Sequence, residues 1–161
     1  MCARIEAIGF DADDTHWHNK RIYFETQTRY RELLATYLDP ELIDRRLYDT
    51  EMRNLQQFGY GIKAFALSMI ETAVELTSGR VRGQDVMAII DLARAMLTAD
   101  VELLPGASLV VPALAERYPL LLITKGDLRD QESKLARSGL QQYSATSRSS
   151  MTSDLPIIRR C

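Results

Sequence analysis

Hydrophobic and polar positions divide the chain into a helical middle and two flanking parts of mixed character. Between residues 20 and 99, apolar residues recur three and four positions apart. Ile62, Phe65 and Met69 form one such series, and this spacing predicts amphipathic helices. Pro40 stands where a further helix could begin, since proline is tolerated at a first helical position. The middle of the chain is therefore predicted as a block of helices without a strand.

Two short apolar runs lie outside this block, and each has the length of a strand. Ile5 to Phe10 reads IEAIGF and ends at three aspartates, which predicts a buried strand followed by a polar loop. Leu120 to Ile123 reads LLLI and is bounded by Pro119 and Gly126. Such a run predicts a strand buried on both faces of the sheet. Helical segments precede and follow the second run. Alternating strands and helices predict an α/β fold with a parallel sheet.

These patterns divide the chain into two predicted domains and a tail. An α/β core takes residues 1–18 and 104–143, and a helical insertion takes residues 19–103. In the tail, residues 144–161, seven of the ten residues 144–153 are Ser or Thr. Such a composition is typical of an irregular or disordered C-terminus.

The tail admits a second hypothesis, which is a reading frame that slips just after Tyr143. Codons that encode SATSRSS can be read, one nucleotide out of frame, as Phe-Arg-His-Ile-Glu-Val-Val, a strand-like segment. The codons that follow permit Asp-Lys-x-Pro. This hypothesis predicts that the coding DNA stays open in the shifted frame and encodes a pair of acidic residues there.

Composition and charge narrow the class of protein. The chain has 161 residues, of which 46% are hydrophobic and 26% charged, as in an ordinary globular domain. A net charge of −2 with dispersed Lys and Arg predicts neither a nucleic-acid surface nor a polybasic membrane patch. Cys2 and Cys161 lie at opposite ends and form no disulfide framework, so we expect a reduced, cytoplasmic protein. No segment approaches the ~18 apolar residues of a membrane span.

The acidic loop after the first strand carries the candidate chemistry. Asp11 and Asp13 are two residues apart, and such residues point the same way in an extended segment. Their carboxylates repel each other unless a cation lies between them, and Mg²⁺ suits such a pair. A carboxylate nucleophile beside a carboxylic acid is also suited to phosphoryl transfer. The alternatives are a solvated acidic loop and a metal pocket of receiver-domain type, and the long helical insertion argues against the second.

Two motifs together resemble the haloacid dehalogenase (HAD) superfamily. GFDADDT resembles its first motif, an apolar strand followed by Asp-x-Asp-x-Thr, and LLLITKGD resembles its second, an apolar strand ending in Thr or Ser. The helical block lies where that family inserts a helical cap. The resemblance covers roughly residues 5 to 143. It implies a HAD-like Rossmannoid core of parallel strands, here incomplete, with an inserted α-helical cap.

The resemblance implies a Mg²⁺-dependent phosphatase that acts through an aspartyl-phosphate on a small phosphorylated substrate. Asp11 is the implied nucleophile, and Asp13 is the implied acid that protonates the leaving oxygen and then activates water. The Asp11 carboxylate and the Asp13 carbonyl are the implied Mg²⁺ ligands. Thr124 is implied to bind the phosphoryl group, and Lys125 could touch phosphate. Dehalogenases and phosphotransferases share this nucleophile, and neither the particular substrate nor an oligomeric state is indicated.

Other polar residues near the motifs carry further expectations. His16 departs from the apolar residue that the family usually has there, and His16 and His18 are expected at the surface rather than in a metal site. Tyr60 and Lys63 lie at a turn of the helical block from which a substrate could be reached. Asp14 is expected to shape the acidic loop.

Two parts of the family's site have no counterpart in the sequence. They are a lysine on a later helix and an acidic residue or pair after a further strand. Lys134 lies in the helix directly after the second motif, too early for the family's lysine, and Asp154 stands alone in the tail. Loss of one charge-stabilising group commonly costs ~10²–10³ in rate. The alternative function is therefore a truncated, inactive remnant that at most binds phosphate or metal weakly.

Overall fold

The computed structural model of the chain describes residues 5–148, and the side chains of residues 5–144. Strands and helices alternate at the two ends of this part, and helices alone fill its middle. The elements are β1 (Ile8–Asp11), α1 (Lys20–Leu34), α2 (Pro40–Phe58), α3 (Ile62–Leu76), α4 (Gly83–Thr98), α5 (Ala107–Ala115), β2 (Leu120–Thr124), α6 (Leu128–Arg137), a 3₁₀ turn (Gln141–Tyr143) and β3 (Ser144–Arg148). Predictions for residues 149–161 and for Cys2 lie outside the described residues.

The described strands form one parallel sheet in the order β1-β2-β3. Ile8 pairs with Leu120 and Asp11 with Ile123, so β1 ends one residue before β2 at the same edge of the sheet. The predicted α/β class, with a parallel sheet and an inserted set of helices, is confirmed. Parallel neighbours need a long crossover, which the helical insertion and α5 supply between β1 and β2, and α6 between β2 and β3.

The third strand corrects the prediction for the start of the tail. Residues 144–161 were expected to be irregular, but Ser144–Arg148 pairs in parallel with β2 along its whole length. The segment has no apolar alternation and so gave no strand signal. Its backbone nevertheless forms hydrogen bonds with the N–H and C=O groups on the edge of β2 that faces away from β1. These bonds do not depend on the type of side chain.

The two apolar strands are less buried than the sequence predicted. Ile8 and Phe10 of β1 are half-buried, while the intervening Gly9 is exposed. In β2 the residues Leu120 and Leu122 are buried, but the residues between them are only half-buried. Full burial on both faces was therefore wrong. The sheet packs tightly on the face where β2 meets α5 and α6, and the buried residues of this cluster are Ala12, Trp17, Val111, Leu120, Leu122, Leu135 and Leu140.

The chain divides into two compact units, and His18–Asp100 is the helical one. The sequence placed this insertion at residues 19–103. Its four helices have their own apolar core, whose buried residues are Tyr30, Leu34, Ile43, Leu47, Ile62, Phe65, Met69, Ala73, Ile89, Ala93 and Met96. No helix within the described residues combines the length and the apolar character that a bilayer crossing requires.

Polar contacts join the helices of this unit. The buried hydroxyl of Tyr30 in α1 donates to the carbonyl of Met69 in α3 at 2.7 Å. Asn54 in α2 donates to the carboxylate of Glu71 in α3 at 2.6 Å, and this hydrogen bond lowers the pKa of Glu71. Pro40 opens α2 as predicted, behind Asp39, whose side chain caps the helix.

The second unit is the α/β core, and the chain leaves and re-enters it at neighbouring places. Trp17, at the end of the acidic loop, forms an antiparallel backbone bridge with Leu103. The amide of Leu104 donates to the carbonyl of His16 at 2.9 Å. The two connections to the helical insertion therefore begin side by side.

Candidate active site

The acidic loop is a closed turn at the end of β1. The His16 amide donates to the Ala12 carbonyl at 3.0 Å, and the Asp14 amide donates to the Trp17 carbonyl at 2.8 Å. Asp14 has φ 56°, a left-handed conformation that aspartate tolerates better than most residues. Ala12 is fully buried beneath the turn. This geometry fixes the backbone between the two carboxylates that the sequence singled out.

The carboxylate of Asp13 accepts hydrogen bonds from three side chains. Its Oδ1 accepts from Nε1 of Trp17 at 2.9 Å, and its Oδ2 from Nε2 of Gln131 at 2.8 Å. Nζ of Lys134 lies 3.3 Å from Oδ1. The same ammonium lies 3.1 Å from the carboxylate of Asp130. Asp13 therefore has a defined orientation, and about a quarter of its side chain (28%) remains accessible to solvent.

The second motif forms a tight loop at the end of β2. Thr124 is buried, and its Oγ1 accepts a hydrogen bond from the Gly126 amide at 3.1 Å. Asp127 caps α6 by accepting from the Asp130 amide at 3.0 Å. Lys125 is exposed at the same turn. The threonine oxygen thus faces the start of α6, and the lysine side chain faces solvent.

The amide of Gln131 links the two loops. A Cβ placed on Gly126 would lie 3.1 Å from Nε2 of Gln131 and 3.5 Å from Oγ1 of Thr124. The same Nε2 donates to Asp13. Because Asp11 pairs with Ile123, the exposed Asp11 lies at the same edge of the sheet. The structure therefore gathers Asp13 and the Thr124 loop around one amide, with Asp11 on the adjoining strand end. Their chemical roles stay predictions.

His16 corrects an expectation about the loop. It is 3% exposed rather than at the surface, and its ring lies edge-on to Phe10 and Trp17. Nδ1 lies 3.1 Å from the backbone carbonyl of Asp11. Since a carbonyl only accepts, Nδ1 carries the proton. Burial lowers the pKa of His16, against the opposing effects of this hydrogen bond and the Asp11 charge. The imidazole therefore supports the backbone at Asp11, while His18 is exposed.

The described residues offer a divalent cation few ligands. Between residues 5 and 148, no three His, Cys, Asp or Glu side chains are placed to hold a metal together. The Asp11 carboxylate and the Asp13 carbonyl are two oxygen donors of the type that Mg²⁺ accepts. The chemistry of these two donors is compatible with Mg²⁺, which commonly keeps several waters and takes phosphate oxygens as well.

Sequence reasoning missed the contributions of α6 to this site. The sequence pattern does not distinguish Gln131, and it places Lys134 too early for the family's lysine, yet both side chains contact Asp13. They are three residues apart, so they share one face of the helix that follows β2. That spacing, on a helix that starts where the second motif ends, was the available signal. Tyr60 and Lys63 lie in the helical unit, and a substrate-binding role for them stays a prediction.

The chain is similar to several proteins of known structure. No family model matches the chain, and no curated protein is significantly similar to it. A haloacid dehalogenase-like family hydrolase from Xanthomonas campestris is 40% identical, with a TM-score of 0.83 over 90% of this chain. This chain spans 61% of that protein.

Two more distant neighbours share the fold alone. A 2-haloacid dehalogenase from Pseudomonas syringae pv. Tomato is 20% identical, with a TM-score of 0.56. The HAD-hydrolase YfnB from Bacillus subtilis, solved bound to magnesium, is 15% identical with a TM-score of 0.54. Each aligns with 89% of this chain, which spans 63% of each neighbour.

Proposed function

The chain belongs to the haloacid dehalogenase-like hydrolases, and we propose that it hydrolyses small phosphate esters through an aspartyl-phosphate on Asp11. The observation that carries this proposal is the register of the sheet. Asp11 pairs with Ile123, so the acidic loop and Thr124 leave neighbouring parallel strands at one edge. In open α/β sheets, ligands bind outside the carboxyl ends of the strands.

In the first step, an oxygen of the Asp11 carboxylate attacks phosphorus, and the bond from phosphorus to the leaving oxygen breaks. Asp13 gives its proton to that oxygen, so an alcohol departs. The side chains that hydrogen-bond to Asp13 stabilise the carboxylate that this transfer leaves behind. The Gly126 amide already supplies the hydrogen bond that Thr124 accepts, so the threonine hydroxyl proton can be donated to a phosphoryl oxygen.

In the second step, Asp13 takes a proton from water, and the water oxygen attacks the phosphorus of the aspartyl-phosphate. The bond between phosphorus and Asp11 breaks, which releases phosphate and restores both carboxyl groups. Lys125, exposed beside Thr124, supplies a positive charge to the departing phosphate. Mg²⁺, held by the Asp11 carboxylate and the Asp13 carbonyl, would offset the negative charge of the phosphoryl oxygens.

Hydrolysis of p-nitrophenyl phosphate tests this proposal. We expect turnover that requires added Mg²⁺ and that falls by roughly 10³-fold or more in Asp11→Asn, because the amide is not a nucleophile. Asp14→Asn is the matched control, since Asp14 is exposed on the same loop and asparagine also tolerates its left-handed backbone. Equal rates in the wild type and Asp11→Asn would refute the assignment of the nucleophile.

The second candidate is a protein that binds phosphate or Mg²⁺ without turnover. Two parts of the family's site, a lysine on a later helix and an acidic residue after a further strand, have no counterpart in the sequence, and this favours binding without turnover. Calorimetric titration with inorganic phosphate and with MgCl₂ separates the two. Binding that Asp11→Asn weakens, in a chain that releases no p-nitrophenol, would support the binder.

A further inference from the structure

The orientation of Asp13 depends on a distant helix. Asp13 lies in a turn, and of its three donors only Trp17 belongs to that turn. The other two, Gln131 and Lys134, come from α6, 118 and 121 residues further along the chain. A general acid must keep its proton within about hydrogen-bond reach of the leaving oxygen, so whatever orients this carboxylate affects the rate.

The two α6 side chains hold different oxygens of the carboxylate. Gln131 donates to Oδ2 and Lys134 lies against Oδ1. With one α6 donor on each oxygen, rotation of the carboxylate about its Cβ–Cγ bond would break at least one of these contacts. Gln131 and Lys134 lie about one helical turn apart, so a single rigid element fixes the spacing of the two donors.

Both side chains are held in place by burial. Gln131 is 1% exposed and Lys134 is 5% exposed. A buried ammonium is costly unless it is paired, and here it lies between Asp13 and Asp130. Asp130 lies one turn earlier on α6 and is itself buried. Its ion pair with Lys134 therefore restricts the movement of the ammonium group.

The orientation of the Gln131 amide follows from the same contact. Its Nε2 faces Asp13, while its Oε1 is buried and has no hydrogen-bond partner among the described residues. Turning the amide over would place oxygen against the carboxylate. The contact with Asp13 is therefore kept although the oxygen at the other end of the amide is buried without a hydrogen bond, which is unfavourable.

We propose that Gln131 and Lys134 are positioning residues that hold the Asp13 carboxylate for proton transfer, an inference that rests on the proposed function. They act through Asp13 and do not touch the substrate. A lysine that merely stabilised the fold would change stability when replaced, but it would leave the chemistry of the folded protein unchanged.

The single tryptophan of the chain provides a readout that needs no turnover. Trp17 donates its indole N–H to Asp13, so one indole cross-peak in a ¹H–¹⁵N spectrum reports that acceptor. We expect Lys134→Met and Gln131→Met to move this peak and to speed its exchange with solvent about tenfold, as the carboxylate loses a fixed orientation. Arg129→Met, exposed on the same helix, is the control that should leave it in place.

Kinetics supply the second readout. In Lys134→Met and Gln131→Met we expect kcat to fall roughly 10- to 100-fold with KM nearly unchanged, the effect of a misplaced catalytic group. Lys134→Arg keeps the charge and should recover part of the loss. If circular dichroism shows that Lys134→Met does not fold, the test is made with Gln131→Met alone. This variant removes no charge and so leaves no buried carboxylate without its cation.

The outcomes separate this inference from the proposed function. An indole peak that stays in place in both variants overturns the inference. A shifted peak together with unchanged kcat also overturns it, because the contact would then have no role in the reaction. If the wild-type chain has no turnover, the proposed phosphatase function is refuted. A shifted indole peak in the variants would then still support the contact of Gln131 and Lys134 with Asp13.

Discussion

At the scale of single residues, burial of Glu51 makes stability depend on pH. Glu51 lies half-buried in α2, and burial raises its pKa from an ordinary 4.5 to about 7. Below pH 4.5 the carboxyl is protonated in the folded and the unfolded chain, so stability is fully present. As the pH rises towards 7, the unfolded chain gives up its proton more readily, and stability is lost.

We expect Glu51→Gln to remove this loss. Since part of the side chain contacts water, the difference between wild type and variant should be about 1 kcal/mol on going from pH 5 to pH 8. Urea unfolding at the two pH values measures it. Glu32→Gln, exposed in α1, is the control and should follow the wild type. A wild type that is equally stable at both pH values would contradict the raised pKa.

Residues at strand ends were predictable from sequence, and residues that reach them from elsewhere were not. Asp11, Asp13 and Thr124 directly follow apolar runs, so their placement at the edge of the sheet follows from the strands. Gln131 and Lys134 contact Asp13 only because β1 pairs with β2 in one particular register. A local sequence pattern does not determine that register. The burial of His16 likewise depends on Phe10 and Trp17 packing around it.

At the scale of elements, one buried hydroxyl joins α1 to α3. Tyr30→Phe removes its 2.7 Å hydrogen bond to the Met69 carbonyl, and we expect a loss of about 1 kcal/mol in the free energy of unfolding. Burial also raises the pKa of Tyr30. Tyr48→Phe is the matched control, since Tyr48 is 62% exposed. Denaturant unfolding compares the two, and an equal effect would show that the Tyr30 bond contributes nothing.

Periodicity predicted the helices because a helix buries one face, and that face recurs every three to four residues. Strands were harder. The short β1 begins at Ile8 rather than Ile5, since the sheet pairs only from that residue onwards. β3 gave no signal, because Ser144–Arg148 is held by backbone bonds to a neighbour rather than by its own side chains.

At the scale of the whole molecule, the helical unit has its own core. We expect residues 18–100, produced alone, to give a helical circular dichroism spectrum and a cooperative thermal transition, because their buried cluster draws only on α1–α4. Leu47→Ala in this fragment should lower its stability by about 2–5 kcal/mol, since Leu47 is fully buried. A fragment without helical signal would contradict the independence of this core.

The paired connections at Trp17 and Leu103 have a consequence for how such a molecule can change. The chain leaves the α/β core and returns to it at adjacent points. A segment of different length or fold inserted between these points would therefore not alter the pairing of Asp11 with Ile123. The helices between these two points could therefore be exchanged or reshaped in evolution without a change in the strands that carry Asp11 and Thr124. In an engineered chain, the same two points are where a foreign module would be grafted.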